Sequence, residues 1–132
     1  MTWFADTHYF IATLNAADAH HQRAVEIAQG PRPGLLTTQW ILSELGDGLA
    51  SRVTRQRFLA IVDALATSPD MEIVPADPVS FQQGLDLYRS RPDKDWSLTD
   101  CISFFVMKQR GLTEALTADH HFEQAGFVPL WK

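Results

Sequence analysis

Cysteine is nearly absent: Cys101 is the only one in 132 residues. A disulfide framework is therefore excluded, and a reducing compartment is the expected setting. Cys101 lies among apolar residues of a predicted helix and reads as a small buried hydrophobe. Long apolar runs are missing too, none approaching the roughly 20 residues of a transmembrane helix. The opening MTWFADTHYF has no basic region followed by a long apolar stretch, so neither a signal peptide nor a membrane anchor is expected, and the cytoplasm is the expected location. An excess of positive charge is also lacking, since 11 basic and 16 acidic residues give a formal net charge of -5. A broad basic face for nucleic acid is thus unexpected. Nucleic acid is not thereby excluded, because a site that gathers carboxylates can hold divalent cations, and these invert the local potential toward phosphate.

Zinc-type spacing is absent as well. His20-His21 and His120-His121 are adjacent pairs that point to different sides of a helix, and no Cys or His stands at zinc spacing from them. Surface histidines are expected there. With no internal repeat, low-complexity segment or linker, residues 1–132 read as one domain whose 45% hydrophobic content suffices for a core.

What is present is an alternation of short apolar runs and amphipathic stretches. Residues 2–5 form an apolar run ending at Asp6, and Thr7 to Ala12 read as helix. A second helix is predicted over His20 to Gln29 and is stopped by GPRPG. Leu35 to Thr38 read as a strand, followed by a helix over Gln39 to Ser51 with Ile41, Leu45 and Leu49 on one stripe. Phe58, Ile61, Val62 and Leu65 mark another amphipathic helix. Met71 to Val74 read as the third strand, and Asp77-Pro78 as the N-cap and first position of a helix reaching about Arg89. After a polar loop, Leu98, Cys101, Ile102 and Phe105 mark a helix that Gly111 should stop. A fourth strand over Ala115 to Thr117, a short helix from His120 to Ala125, and a last strand over Phe127 to Leu130 complete the chain. Strands alternating with helices imply an α/β fold with a mainly parallel sheet covered on both faces.

Four carboxylates recur in matching places. Asp6 and Asp119 stand just past strands, Asp100 in the first turn of a helix, and Glu44 on the helix after the second strand. In an open parallel sheet, strand C-termini and the helix N-termini that follow share one edge, where ligands bind. Acids converging there from separate elements would suit Mg²⁺ or Mn²⁺, hard cations that prefer oxygen ligands and substrate phosphate oxygens. Each acid also has a plainer reading. Ser97 to Asp100 is a capping box, Asp6 and Asp119 fit N-caps, and Glu44 fits a solvated helix charge.

FADTHYFIA, TTQWILSEL and, above all, DWSLTDCISFFVMKQRGLTEALTADHHFEQAGF resemble the PIN domain, and within it the VapC toxins of bacterial and archaeal toxin-antitoxin pairs. The resemblance runs along the whole chain. It implies a three-layer α/β/α sandwich with about 4-5 strands, and a metal-dependent endoribonuclease using Mg²⁺ or Mn²⁺. It assigns Asp6, Glu44, Asp100 and Asp119 to the acidic quartet and metal site, with Thr7, Thr99 and Thr117 as the hydroxyls beside it. It also implies an RNA substrate, a VapB-type antitoxin and a homodimer. Asp95 is an additional acid with no fixed role in that pattern, and THYFIATLN is poorer in aliphatics than the corresponding helix usually is.

Around this core, Asp95, Trp96, His120, Arg52 and Arg55 are candidates for substrate contact: cations against phosphate, Trp96 against an unpaired base. Trp40 is weighed for the same role against core packing, and His8 for a phosphate contact near Asp6. The Phe58 to Leu65 helix, with Phe10 and Trp40, is a candidate docking surface for a partner helix. Two other functions fit parts of the pattern: a PIN nuclease of RNA processing without an antitoxin, and a receiver-like signalling or silent binding domain. A receiver needs paired acids after its first strand, where Asp6 stands alone.

Overall fold

A computed structural model describes residues 1–132. Five strands, β1 (Thr2–Ala5), β2 (Gly34–Thr38), β3 (Met71–Val74), β4 (Glu114–Leu116) and β5 (Val128–Pro129), pair in the order β3-β2-β1-β4-β5. Every pairing is parallel. Seven helices connect them: α1 (Thr7–Leu14), α2 (His21–Gln29), α3 (Gln39–Gly48), α4 (Arg55–Ala66), α5 (Pro78–Ser90), α6 (Leu98–Gln109) and α7 (His120–Gln124). The expected α/β/α fold is what forms. Because parallel crossovers are right-handed, helices joining β1 to β2 to β3 cover one face, and those used after the chain returns to β4 cover the other. A receiver-type sheet runs 2-1-3-4-5, so the observed order removes that alternative.

The strands are short and apolar because both faces are covered. Phe4, Leu35, Leu36, Ala115 and Leu116 are buried between Ile41 and Leu45 of α3, Ile102, Val106 and Met107 of α6, and Phe122 of α7. Helix ends follow local chemistry. Thr38 accepts the Ile41 amide at 3.1 Å, and Asp77 accepts that of Ser80 at 2.8 Å with Pro78 in the first turn. Gly111, at φ +68°, ends α6 while the Leu112 amide reaches back to the Met107 carbonyl at 2.8 Å. Gly126 does the same for α7 at φ +94°. α3 stops at Gly48 rather than Ser51, and β5 has only two paired residues where four were expected.

Two features of the packing bear on the site. The order of the strands reverses between β1 and β4, so their C-terminal ends flank the crevice where ligands bind in such sheets. α5 and α6 approach so closely at Gly84 that a Cβ there would lie 2.3 Å from Ile102 Cγ1 and 3.0 Å from the Ile102 backbone. Gly84 thus sets the seat of the helix that carries Asp100.

Candidate metal and nucleic-acid site

β1 ends in Ala5 and delivers Asp6 to the crevice with only 8% of its surface exposed. β4, the neighbour of β1, runs on into Thr117, which is fully buried and donates its hydroxyl to Asp6 Oδ2 at 3.0 Å. The Asp119 amide donates to the same Thr117 oxygen at 3.1 Å. Thr7 donates its hydroxyl to Glu44 Oε1, tying the start of α1 to α3. Asp100 enters from the first turn of α6. These groups line one cleft of about 430 Å³, in which Asp6, Glu44, Asp100 and Asp119 meet Thr7 and Thr117, and to which no lysine or arginine contributes.

The plainer readings of the acids resolve individually. Asp6 occupies the N-cap position of α1 but makes no capping bond. Asp100 and Asp119 do cap their helices: Asp100 completes a reciprocal box with Ser97, and Asp119 Oδ1 accepts the His121 amide at 2.9 Å. Capping and cleft-lining coexist because a carboxylate has two oxygens. Asp100 commits Oδ2 to the Ser97 amide at 3.1 Å. Glu44 is exposed and held by Thr7.

Gathering acids with no lysine or arginine beside them raises their carboxyl groups. Burial pushes the Asp6 carboxyl up to about 7, with Asp100 and Glu44 adding to the rise against the hydrogen bonds from Thr117 and the Thr7 amide. Asp100 is raised chiefly by burial and next by Asp119, against the Ser97 amide and His121. A divalent cation among these oxygens would relieve both burdens, since it favours the ionised forms. The donor set, all oxygen and at one mouth, fits a hard ion that retains water.

A PIN domain model matches residues 3–128. The chain belongs to the PIN domain family. It is 31% identical over 126 residues, 95% of each chain, to the 23S rRNA-specific endonuclease VapC20 of Mycobacterium tuberculosis. The crystal structure of that VapC20, described as a sarcin-ricin loop cleaving toxin, superposes with a TM-score of 0.85 at 25% identity over 98% of both chains. VapBC2 from Rickettsia felis, bound to a promoter DNA fragment, shares the fold at a TM-score of 0.67 and 11% identity, over 98% of this chain and 97% of that one.

Within this PIN domain the remaining predicted residues divide. Thr99, half-buried beside Asp100, does not line the cleft, so only Thr7 and Thr117 of the three hydroxyls reach it. Trp96 is 6% exposed. Its indole donates to Gln124 at 3.0 Å, and Arg91 lies over its ring at 5.1 Å, which removes it as a free stacking platform. Trp40 packs on Phe81. Asp95 belongs to a separate cleft of about 790 Å³ with Arg89, Arg91 and Lys94. That larger cleft is no basic funnel, because Arg91 and Lys94 pair with Asp93, and Arg89 with Asp86. Arg52 and Arg55 do not line the acidic cleft; Arg55 is turned back onto the Ala50 carbonyl. His120 is exposed, with Nδ1 3.7 Å from Asp119 Oδ1, and is not among the residues that line the cleft.

Two histidines matter more than their sequence context suggested. His121 is not a free surface group, since its Nδ1 lies 3.1 Å from Asp100 Oδ2. Its signal was the spacing of two residues from Asp119 on a short helix, which folds the ring back over the acid. His8 lines the cleft, and its Nδ1 accepts the Ala118 amide at 3.2 Å. That bond places the ring proton on Nε2, facing Asp18 at 3.6 Å. His8, Asp18 and His20 cluster closely enough to suggest a metal site. The proton on His8 Nε2 occupies the lone pair a metal would need.

Proposed function

We propose that this PIN domain is a metal-dependent endoribonuclease and the toxin of a VapBC-type toxin-antitoxin pair. The observation that carries the reading is the convergence of Asp6, Glu44, Asp100 and Asp119 on one cleft without a lysine or arginine. Asp6, Glu44, Asp100 and Asp119 would hold Mg²⁺ or Mn²⁺. A bound ion supplies an activated water and stabilises charge on the leaving oxygen of a phosphodiester. Thr117 orients Asp6 and braces the turn to Asp119, Thr7 orients Glu44, and the capping box orients Asp100. Cleavage leaves 5'-phosphate and 3'-hydroxyl ends. The name of the M. tuberculosis relative makes a 23S rRNA hairpin the first RNA to test.

The antitoxin surface follows from exposure. α4 has no fully buried residue: Phe58, Ile61 and Leu65 are half-buried and packed against the core, Val62 is half-buried, and Leu59 is exposed. A groove of about 590 Å³ lined by Ile11, Leu14, Leu49 and Arg57 adjoins the acidic cleft, with Ile11 in both. Phe10, expected to join this surface, is 2% exposed and belongs to the core. An apolar antitoxin helix lies in the groove, and a basic residue from its tail enters the cleft in place of the ion. Homodimers are the proposed assembly.

The test is cleavage of a 23S rRNA hairpin in Mg²⁺ by wild type and Asp100→Asn, with growth followed on expression alone and with the gene upstream. Mg²⁺-dependent cleavage lost in folded Asp100→Asn, and arrest relieved by the neighbour, are expected. Undiminished cleavage by Asp100→Asn reduces Asp100 to a cap. Cleavage without growth arrest leaves an RNA-processing nuclease.

A further inference from the structure

We propose that His121 is a positioning residue that fixes Asp100 and Asp119 relative to each other and turns the free oxygen of Asp100 toward the ion. This inference rests on the reading of the four acids as a divalent-cation site.

His121 touches both late carboxylates. Its backbone amide donates to Asp119 Oδ1 at 2.9 Å, and its ring Nδ1 lies 3.1 Å from Asp100 Oδ2 and 3.5 Å from Asp119 Oδ1. A carboxylate can only accept, so Nδ1 carries the proton. Asp100 Oδ2 then receives two donors, the Ser97 amide at 3.1 Å and the His121 ring at 3.1 Å, while Oδ1 has no protein partner. A planar carboxylate pinned through one oxygen has little freedom at the other. Asp100 is thus aimed from two sides, by its own helix α6 and by α7.

The ring is itself restrained. Its side chain is 19% exposed, and it lies 4.5 Å from the His120 ring. Without the Nδ1 donor, Asp100 would keep its cap, but α6 and α7 would lose their polar link at the cleft. Asp100 and Asp119, which repel each other, would then part. Outer partners that orient ligands typically change metal affinity by about 10- to 100-fold.

The experiment measures Mn²⁺ binding to the RNA-free protein by titration calorimetry for wild type, His121→Phe, His121→Leu and His121→Asn. Circular dichroism selects the folded variants, the Phe and Leu changes removing the donor at different volumes. Affinity should fall about tenfold or more in either apolar variant. It should return to within about threefold in His121→Asn, whose amide nitrogen can occupy the Nδ1 position. In RNA cleavage kcat should fall with KM for RNA unchanged. Wild-type affinity in a folded apolar variant overturns the proposal, as does an Asn variant no better than the apolar ones. A directly bonded nitrogen in the electron spin-echo spectrum of Mn²⁺-loaded wild type, lost in His121→Phe, also overturns it and makes His121 a ligand. If wild type binds no Mn²⁺, the cation-site reading fails, and this inference with it; binding unaffected by His121 sinks only the inference.

Discussion

Thr117 donates its hydroxyl to Asp6 Oδ2 at 3.0 Å and so joins residues 111 apart in sequence. Both are buried, and the bond spans the two strands between which the sheet reverses order. It is one of the contacts that lower the Asp6 carboxyl against the larger effect of burial.

Thr117→Val keeps the shape and removes this donor, together with the acceptor of the Asp119 amide. A buried acceptor left without its partner costs about 1–3 kcal/mol, so urea denaturation above neutral pH should show a loss of that order. The pH at which cleavage reaches half its maximum should move upward, because Asp6 becomes harder to ionise. An unchanged midpoint in both measurements would show that Asp6 finds another donor.

The raised Asp6 group makes metal-free stability fall with rising pH. With a folded value of about 7 against 3.8, the native state keeps a proton that the unfolded chain has released. Its contribution is fully present below 3.8, drains away as pH rises, and is gone above about 7. Asp100 acts in the same direction. Asp18, Asp70, Asp77 and Asp93 are lowered, so their contributions are lost only as pH falls below the ordinary carboxylate range. Thermal melts in EDTA should therefore decline between pH 5 and 8 on the order of several degrees, and Mg²⁺ should raise Tm more at pH 8 than at pH 5. Asp6→Asn should flatten the decline and abolish cleavage. A Mg²⁺ effect equal at both pH values would contradict the assignment.

Cys101 is fully buried, and burial pushes its thiol up to about 11, with Asp100 adding to the rise. The thiol is then protonated at neutral pH and inert. Cys101→Ala should cost about 1–2 kcal/mol of stability through lost packing while leaving the specific activity of folded protein unchanged. Lost activity at full folding, read by circular dichroism beside the cleavage assay, would reopen a chemical role.

Gly84→Ala should be destabilising out of proportion to a single methyl. The added Cβ meets the Ile102 side chain at 2.3 Å and its backbone at 3.0 Å, so α5 and α6 must move apart. Overpacking of this kind costs about 1–3 kcal/mol. Because Asp100 is two residues before Ile102 on α6, Mn²⁺ affinity should also fall. Stability lost with metal binding intact would mean that α5, not α6, gives way.

The elements and the acids were legible along the chain because their signals are local. Apolar periodicity marks α4 and α6, Asp77-Pro78 and Ser97-Leu98-Thr99-Asp100 announce helix starts, and a carboxylate just past an apolar run marks a strand end. The family resemblance supplied which four acids belong together. Only the tertiary structure decided how they are held. Strand order brings Thr117 to Asp6, and a short helix folds His121 onto Asp100, while Thr99, the position before Asp100 on α6, does not line the cleft. The same limit explains Trp96, Phe10 and Arg55: an aromatic or a cation reads alike in sequence whether it faces solvent or is packed and paired. Hydrogen bonds between groups tens of residues apart, and the burial that lifts Asp6 to about 7, arise from packing in three dimensions and leave no periodic trace in the order of residues.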